Sequence, residues 1–415
     1  MKKTEDYLYD RIFTLIEKYG LLLILSFSYS LLTPNLSAKA GLMDSHVEDV
    51  LSAGTSSNLV KQLLWSGLFL AYLICLVREA HRGRILGQKW ALILSLVTPV
   101  VVILSTALWS EFPNFTIKRT IFQIFLIFGV FFATYFAIRH KTFDFTIRVI
   151  LSWMVLLTIL TLVLGVGYDP LGLTGYIGHK NGYGAQILAG VCVYLCLDKS
   201  TRDSYFIIPL VVFLIFSMSK TSLALTALIT IFFTLNIAFS RVTFTLLAYG
   251  ITIAFLVAPP VTTLLGDMWF PSINADPSFM TGRGAIWQVL YPDILEGPKT
   301  LYGYGYGSFF NTGSIPTVMD VKDSFLRYLN QSHNSYLDMA LQIGFPLSVL
   351  MMISLASLVR RTDSKQLYLA GVVLTIYSIS EATIFRDQQS IWVTFLVVLS
   401  WALVKNSDRE ANNHS

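Results

Sequence analysis

Four short motifs gather the side chains able to do chemistry. GHKNGYG occupies 178–184, SMSKTS 217–222, TGRGAIW 281–287 and SHN 332–334, each beside a long apolar run. Lys180, Lys220 and Arg283 offer cations suited to a phosphate group, the arginine as a planar fork and the lysines as compact charges. His333 offers an imidazole, which near neutral pH can take a proton from an attacking hydroxyl, a role typically worth about 10²–10⁴-fold in rate. Each residue also has a plain structural use. Lys220 between two apolar runs can snorkel to water, Lys180 and Arg283 can be solvated loop charges, and His333 with Asn334 can cap the helix that follows. A joint anionic site therefore requires that all four motifs lie on one side of a membrane.

The elements around the motifs decide that. With 54% hydrophobic and 13% charged side chains, the 415-residue chain lacks the polar surface to cover a soluble globule of its size. A membrane-crossing helix needs about 20 mostly apolar residues. Candidate spans fall near 19–33, 62–78, 89–108, 119–138, 147–167, 182–197, 204–218, 222–239, 243–265, 335–358, 366–382 and 389–404. The expected fold is all-α and polytopic, with about twelve transmembrane helices in a single domain over 1–415.

Short cytoplasmic loops favour Lys and Arg. With the N-terminus inside, every cytoplasmic connection is basic: Lys2, Lys3, Arg11 and Lys18; Arg78, Arg82, Arg84 and Lys89; Arg139, Lys141 and Arg148; Lys199 and Arg202; Arg241; Arg360, Arg361 and Lys365; Lys405 and Arg409. Both termini are then cytoplasmic, and all four motifs face the periplasm or exterior. So does the large loop over 266–333. The net charge of +5 follows from this loop bias and gives no support for nucleic acid as a partner.

Other features narrow the function. No phosphate-cradling glycine loop followed by Lys-Ser or Lys-Thr supports nucleotide hydrolysis, and no histidine or acid cluster has zinc spacing. Cys75, Cys192 and Cys196 fall within predicted spans, as small packing residues would. The basic start, apolar run and Ala38-Lys39-Ala40 imitate a signal peptide, but Lys39 and the long charged lead are expected for an uncleaved anchor. Within the large loop, DSFLRYLNQ at 323–331 has the spacing of a short helix on the membrane surface. YGYGYG at 302–307 is either a flexible turn with interfacial tyrosines or a substrate-shaping one. The aromatic run Phe122 to Phe136 is expected to face lipid. Asp44, Glu48 and Asp49, in the first outer loop, are a rival source of a catalytic base, ranked below His333.

The order SKT, then GR followed by an aromatic, then SHN opening a helix, resembles the O-antigen ligase and polysaccharide polymerase superfamily. HKN and the SKT variant look most like its exopolysaccharide-polymerase branch. The resemblance in topology covers nearly the whole chain, although its motifs occupy 178–344. It implies a GT-C-like membrane glycosyltransferase of the bacterial inner membrane, independent of metal and cofactor, that moves a glycan from undecaprenyl diphosphate to an acceptor hydroxyl. Flippase and chain-length-control proteins are its implied partners, beside the membrane lipid. By the same resemblance Arg283 contacts the diphosphate, Lys220 stands where the ligases carry arginine, and His333 is base or acceptor-positioning group, followed by Asn334; Lys180, read from the residues alone, joins the expected diphosphate set, with Trp287 and Asp338 expected in support. Gly344 follows at the usual spacing. Two departures stand out: Lys220 replaces an arginine, and Gln342 stands where many relatives have glutamate. The carboxylate partner of His333 is thus unassigned, with Asp338 one turn into the helix as either a replacement or a helix-start acid.

Polymerisation, in which the acceptor is the next lipid-linked repeat unit, is the leading expectation. Ligation to another lipid or a protein uses the same donor end. A secondary transporter would carry related halves and midplane charges, neither of which the sequence displays, and a non-enzymatic glycan-binding partner would tolerate loss of His333.

Overall fold

The computed structural model describes residues 2–36, 59–81, 90–198, 204–234, 241–265, 282–320, 324–362, 364–386 and 389–413. Asp44, Glu48, Asp49, the 38–40 stretch and the 266–281 part of the large loop lie outside the described residues. Among the described residues the regular structure is helical, apart from a two-residue antiparallel ribbon that pairs Tyr168–Asp169 with Gly172–Leu173. In chain order the helices are α1 (Lys2–Ser28), α2 (Leu59–His81), α3 (Trp90–Ser105), α4 (Pro113–Arg139), α5 (Phe143–Val163), α6 (Lys180–Tyr194), α7 (Ser204–Ser217) and α8 (Lys220–Thr234). Then follow α9 (Arg241–Leu264), α10 (Arg283–Leu295), α11 (Lys299–Tyr302), α12 (Ser335–Ile343), α13 (Phe345–Thr362), α14 (Lys365–Ser380) and α15 (Ser390–Asn413).

Four of these, α4, α5, α9 and α13, are long and apolar enough to cross a membrane. Their length and composition are those of a multi-pass membrane protein. Among the described residues twelve long crossings are not seen. Several other predicted spans fall on apolar helices of 10–17 residues, including α7, α8 and the apolar parts of α2 and α15. The outer faces suit lipid: Trp153, Leu156 and Val163 on α5 and Leu246 on α9 are exposed apolar side chains. The core centres on α6, buried without interruption from Tyr183 to Val193. A helix apolar all round belongs inside a bundle, and α6 packs against α7, α8 and α15, while α15 also packs against α4 and α14.

Three local expectations are corrected. The aromatic run of α4 does not face lipid. Phe131, Phe132 and Phe136 are buried, and Phe122 meets Trp65 of α2 edge-to-face at 5.5 Å, because α1, α2 and α15 all pack on this helix. The predicted span 335–358 is broken: Gly344 adopts φ +77° between α12 and α13, and a side chain there would run into the Leu301 carbonyl. In DSFLRYLNQ the described residues, 324–331, form one 3-10 turn, Phe325–Tyr328, in place of a surface helix. YGYGYG, for its part, is no interfacial turn: Tyr304 and Tyr306 are buried, and the Tyr304 and Gly305 amides donate to the Leu341 and Gln342 carbonyls of α12 at 2.7 and 2.9 Å.

Candidate active site

The site is built where α6, α8, α10 and α12 begin and α14 ends. At the start of α12, the Asn334 side chain accepts from the Tyr336 and Leu337 amides (2.9 and 3.1 Å), which satisfies two of the donors a helix start leaves orphaned. Ser332 tightens the turn before it by donating to the Asn334 carbonyl at 2.7 Å. Trp287, buried on α10, donates its indole N–H to the Ser332 carbonyl at 3.0 Å. Asn334 and Trp287 therefore position the intervening residue, and that residue is His333. Its φ of +52° is uncommon for any side chain other than glycine. Strain of this kind persists only where surrounding contacts over-determine the backbone.

Asp338 is not the partner of His333. It is 2% exposed and fully committed elsewhere. Arg386 grips it with two parallel bonds, Nε to Oδ2 at 3.0 Å and Nη2 to Oδ1 at 2.7 Å. Gln342 donates to Oδ2 at 2.7 Å and accepts from the Gly307 amide at 2.9 Å. A carboxylate so held is a clamp between α12 and the segment after α14. Gln342 completes that clamp, which gives the glutamine its own structural reason.

The carboxylate that meets His333 is Glu381, a residue the sequence reading passed over. It follows α14 in an extended conformation, and its Oε2 lies 2.9 Å from His333 Nδ1. Its Oε1 accepts from Arg283 Nη2, so Arg283 faces Glu381 directly. Burial pushes the Glu381 carboxyl up, but the His333 hydrogen bond and charge, Arg283 and His179 outweigh it and hold the group below the usual glutamate range. An ionised carboxylate only accepts. His333 must therefore donate from Nδ1, which leaves Nε2 with its lone pair, and no described residue bonds that nitrogen. A signal for Glu381 did exist: Glu381 and Asp338 are the only acids within the twelve predicted spans, and an acid there is costly without a partner.

Beside Glu381 opens a cavity of about 420 Å³ lined by Lys180, Lys220, Arg283, Asn181, Thr221, Tyr377 and Glu381, among others. It brings together all three predicted cations. Each is also the first residue of its helix: Lys180 of α6, Lys220 of α8 and Arg283 of α10. Three helix starts, each with the partial positive charge of its first turn, thus border one volume. Arg283 is paired with Glu381, and Lys180 donates to the Leu171 carbonyl at 3.3 Å. Lys220 is exposed to the cavity and has no hydrogen-bond or ion-pair partner among the described residues. Among the described residues the lining sets one carboxylate against three cations, an excess of positive charge that suits a dianion. His333 does not line this cavity; it reaches it through Glu381. Comparison of the chain with protein-family models, with curated proteins and with solved structures finds no match.

Proposed function

We propose that the protein polymerises lipid-linked oligosaccharide repeat units on the outer face of a bacterial inner membrane. In this reading about twelve helices cross the bilayer, both termini are cytoplasmic, and the donor is a glycan on undecaprenyl diphosphate. The convergence of three cation-headed helix starts beside a carboxylate–histidine pair is the observation that carries it. A diphosphate diester is dianionic and occupies the cationic cavity. The acceptor oxygen bonds to the anomeric carbon, the bond from that carbon to the diphosphate oxygen breaks, and the electron pair leaves with the diphosphate. Lys180, Lys220 and Arg283 stabilise the charge that develops there. The hydroxyl proton passes to His333 Nε2, and Glu381 stabilises the resulting imidazolium through Nδ1, as a carboxylate behind a catalytic histidine does.

Protein in nanodiscs, given a lipid-diphosphate-linked repeat unit as sole substrate, is expected to yield a ladder of products, and His333→Ala is expected to yield none at unchanged protein abundance. A normal ladder from His333→Ala sinks the proposal. Transfer to an added lipid or protein acceptor, with no ladder from the repeat unit alone, reassigns the chain to ligation.

A further inference from the structure

A second cavity, about 330 Å³, has a different chemistry. Amides of Asn330, Gln331 and Gln389 line it together with Arg386, Tyr306 and Phe310. His333 does not line it, but Gln331 does and couples it to the catalytic pair, its Nε2 donating to Glu381 Oε2 at 3.4 Å. The Arg386 guanidinium is already matched by Asp338 and lies over the Phe310 ring, 5.6 Å from its centroid. Among the described residues no lysine and no acid lines this volume, and its two arginines are engaged, Arg386 by Asp338 and Arg119 by three backbone carbonyls. Where the first cavity is built for an anion, this one offers planar donor-and-acceptor groups and aromatic rings. Planar amides pair with vicinal hydroxyls, aromatic faces cover the C–H faces of a pyranose, and the volume is at the small end of ligand sites, about 300–1,000 Å³.

We infer that this cavity binds a neutral, hydroxyl-rich sugar, the terminal residue of the acceptor glycan, and delivers its hydroxyl to His333. The assignment to an acceptor rests on the transfer reaction proposed above; the sugar-binding chemistry of the cavity does not. Asn330 and Gln389 have exposed side chains at its mouth, so both can be changed without opening the core. Arg119 lies deeper in its wall, donating to the carbonyls of Gly307, Phe310 and Asn311, which fixes the cavity's shape.

The test uses full-length protein in nanodiscs and two probes. One is the carrier-free oligosaccharide released by mild acid from the source cell's lipid-linked glycans, and the other is undecaprenyl diphosphate. Gln389→Trp, which fills the cavity, and Asn330→Ala are each expected to weaken oligosaccharide binding about tenfold or more while leaving undecaprenyl diphosphate binding within about twofold. Lys220→Ala is expected to do the reverse. Retained diphosphate binding also establishes that the variants are folded. Oligosaccharide binding that is absent in the wild type, unchanged in both cavity variants, or lost equally in Lys220→Ala overturns the inference. If the wild type ignores undecaprenyl diphosphate but still binds oligosaccharide in a Gln389-dependent way, the sugar cavity stands and the transfer reading falls.

Discussion

Glu381 holds one negative charge between Arg283 and His333 at about 14% exposure, and its protonation state is therefore a property of the folded site. Its carboxyl lies below the ordinary glutamate value of about 4.3. The sign follows from linkage: a lowered folded value means the pairing stabilises fully above the unfolded pKa and is lost as pH falls through the folded one. Glu381→Gln is expected to melt below the wild type at neutral pH, and the two melting curves are expected to converge as the pH is taken down through the acid range. A gap that widened on acidification would mean that Glu381 is not ionised in the native site. In the proposed reaction the same variant keeps an acceptor for Nδ1 but loses the charge facing the imidazolium, so single-turnover transfer should fall by about 10²–10⁴-fold. Lys180, Lys220 and Arg283 were legible as a joint site for an anion because the orientation expected from the basic loops puts them on one side, and they do share one cavity. Glu381 was not read. The chain order of charges does not say which acid meets which cation, and these partners are 48 and 98 residues away.

The distances within the site are set by how short elements run beside one another. Three contacts share one offset: His333 with Glu381, Ser335 with Thr383, and Asp338 with Arg386 are each 48 residues apart. The start of α12 and the strap that follows α14 therefore lie side by side in one register, running in the same direction. The strap is pinned from its other side, since Gln123 of α4 and the Tyr306 hydroxyl both donate to the Phe385 carbonyl, at 2.9 and 2.7 Å. This arrangement needs α12 to be short. A helix running straight from 335 to 358 would leave no room at the Leu301 carbonyl, and Gly344, followed by Pro346 in the first turn of α13, makes the break. Gly-Phe-Pro carried that signal in the sequence, but the apolar run on both sides hid it within one span-length window. Gly344→Ala combines a positive φ with a blocked Cβ and is expected to cost about 1–3 kcal/mol. It should appear as a lower melting temperature together with weaker transfer, because α12 carries His333 at its start. A melting curve equal to the wild type would show that the break is not required.

At the scale of the whole molecule, the composition announced a membrane protein and the helices agree in kind, while the number of crossings and their direction rest on the charge pattern. That pattern makes a sharp demand. If basic loops lie inside, then the α7–α8 turn at Met218, next to Lys220, must lie outside, and Arg361, at the end of α13, must lie inside. Both side chains are exposed, whereas Cys75, Cys192 and Cys196 are buried, so the native thiols should stay silent towards an impermeant maleimide. Met218→Cys is expected to label in intact spheroplasts and Arg361→Cys only after permeabilisation. The reverse pattern would turn the cationic cavity towards the cytoplasm, where a polymerase acting on exported repeat units could not use it. Labelling of both sites from outside would break the odd number of crossings that must separate α7–α8 from the end of α13. The orientation thus governs the function directly: the cavity at Lys180, Lys220 and Arg283 can take an exported lipid diphosphate only if Met218 marks the outer face.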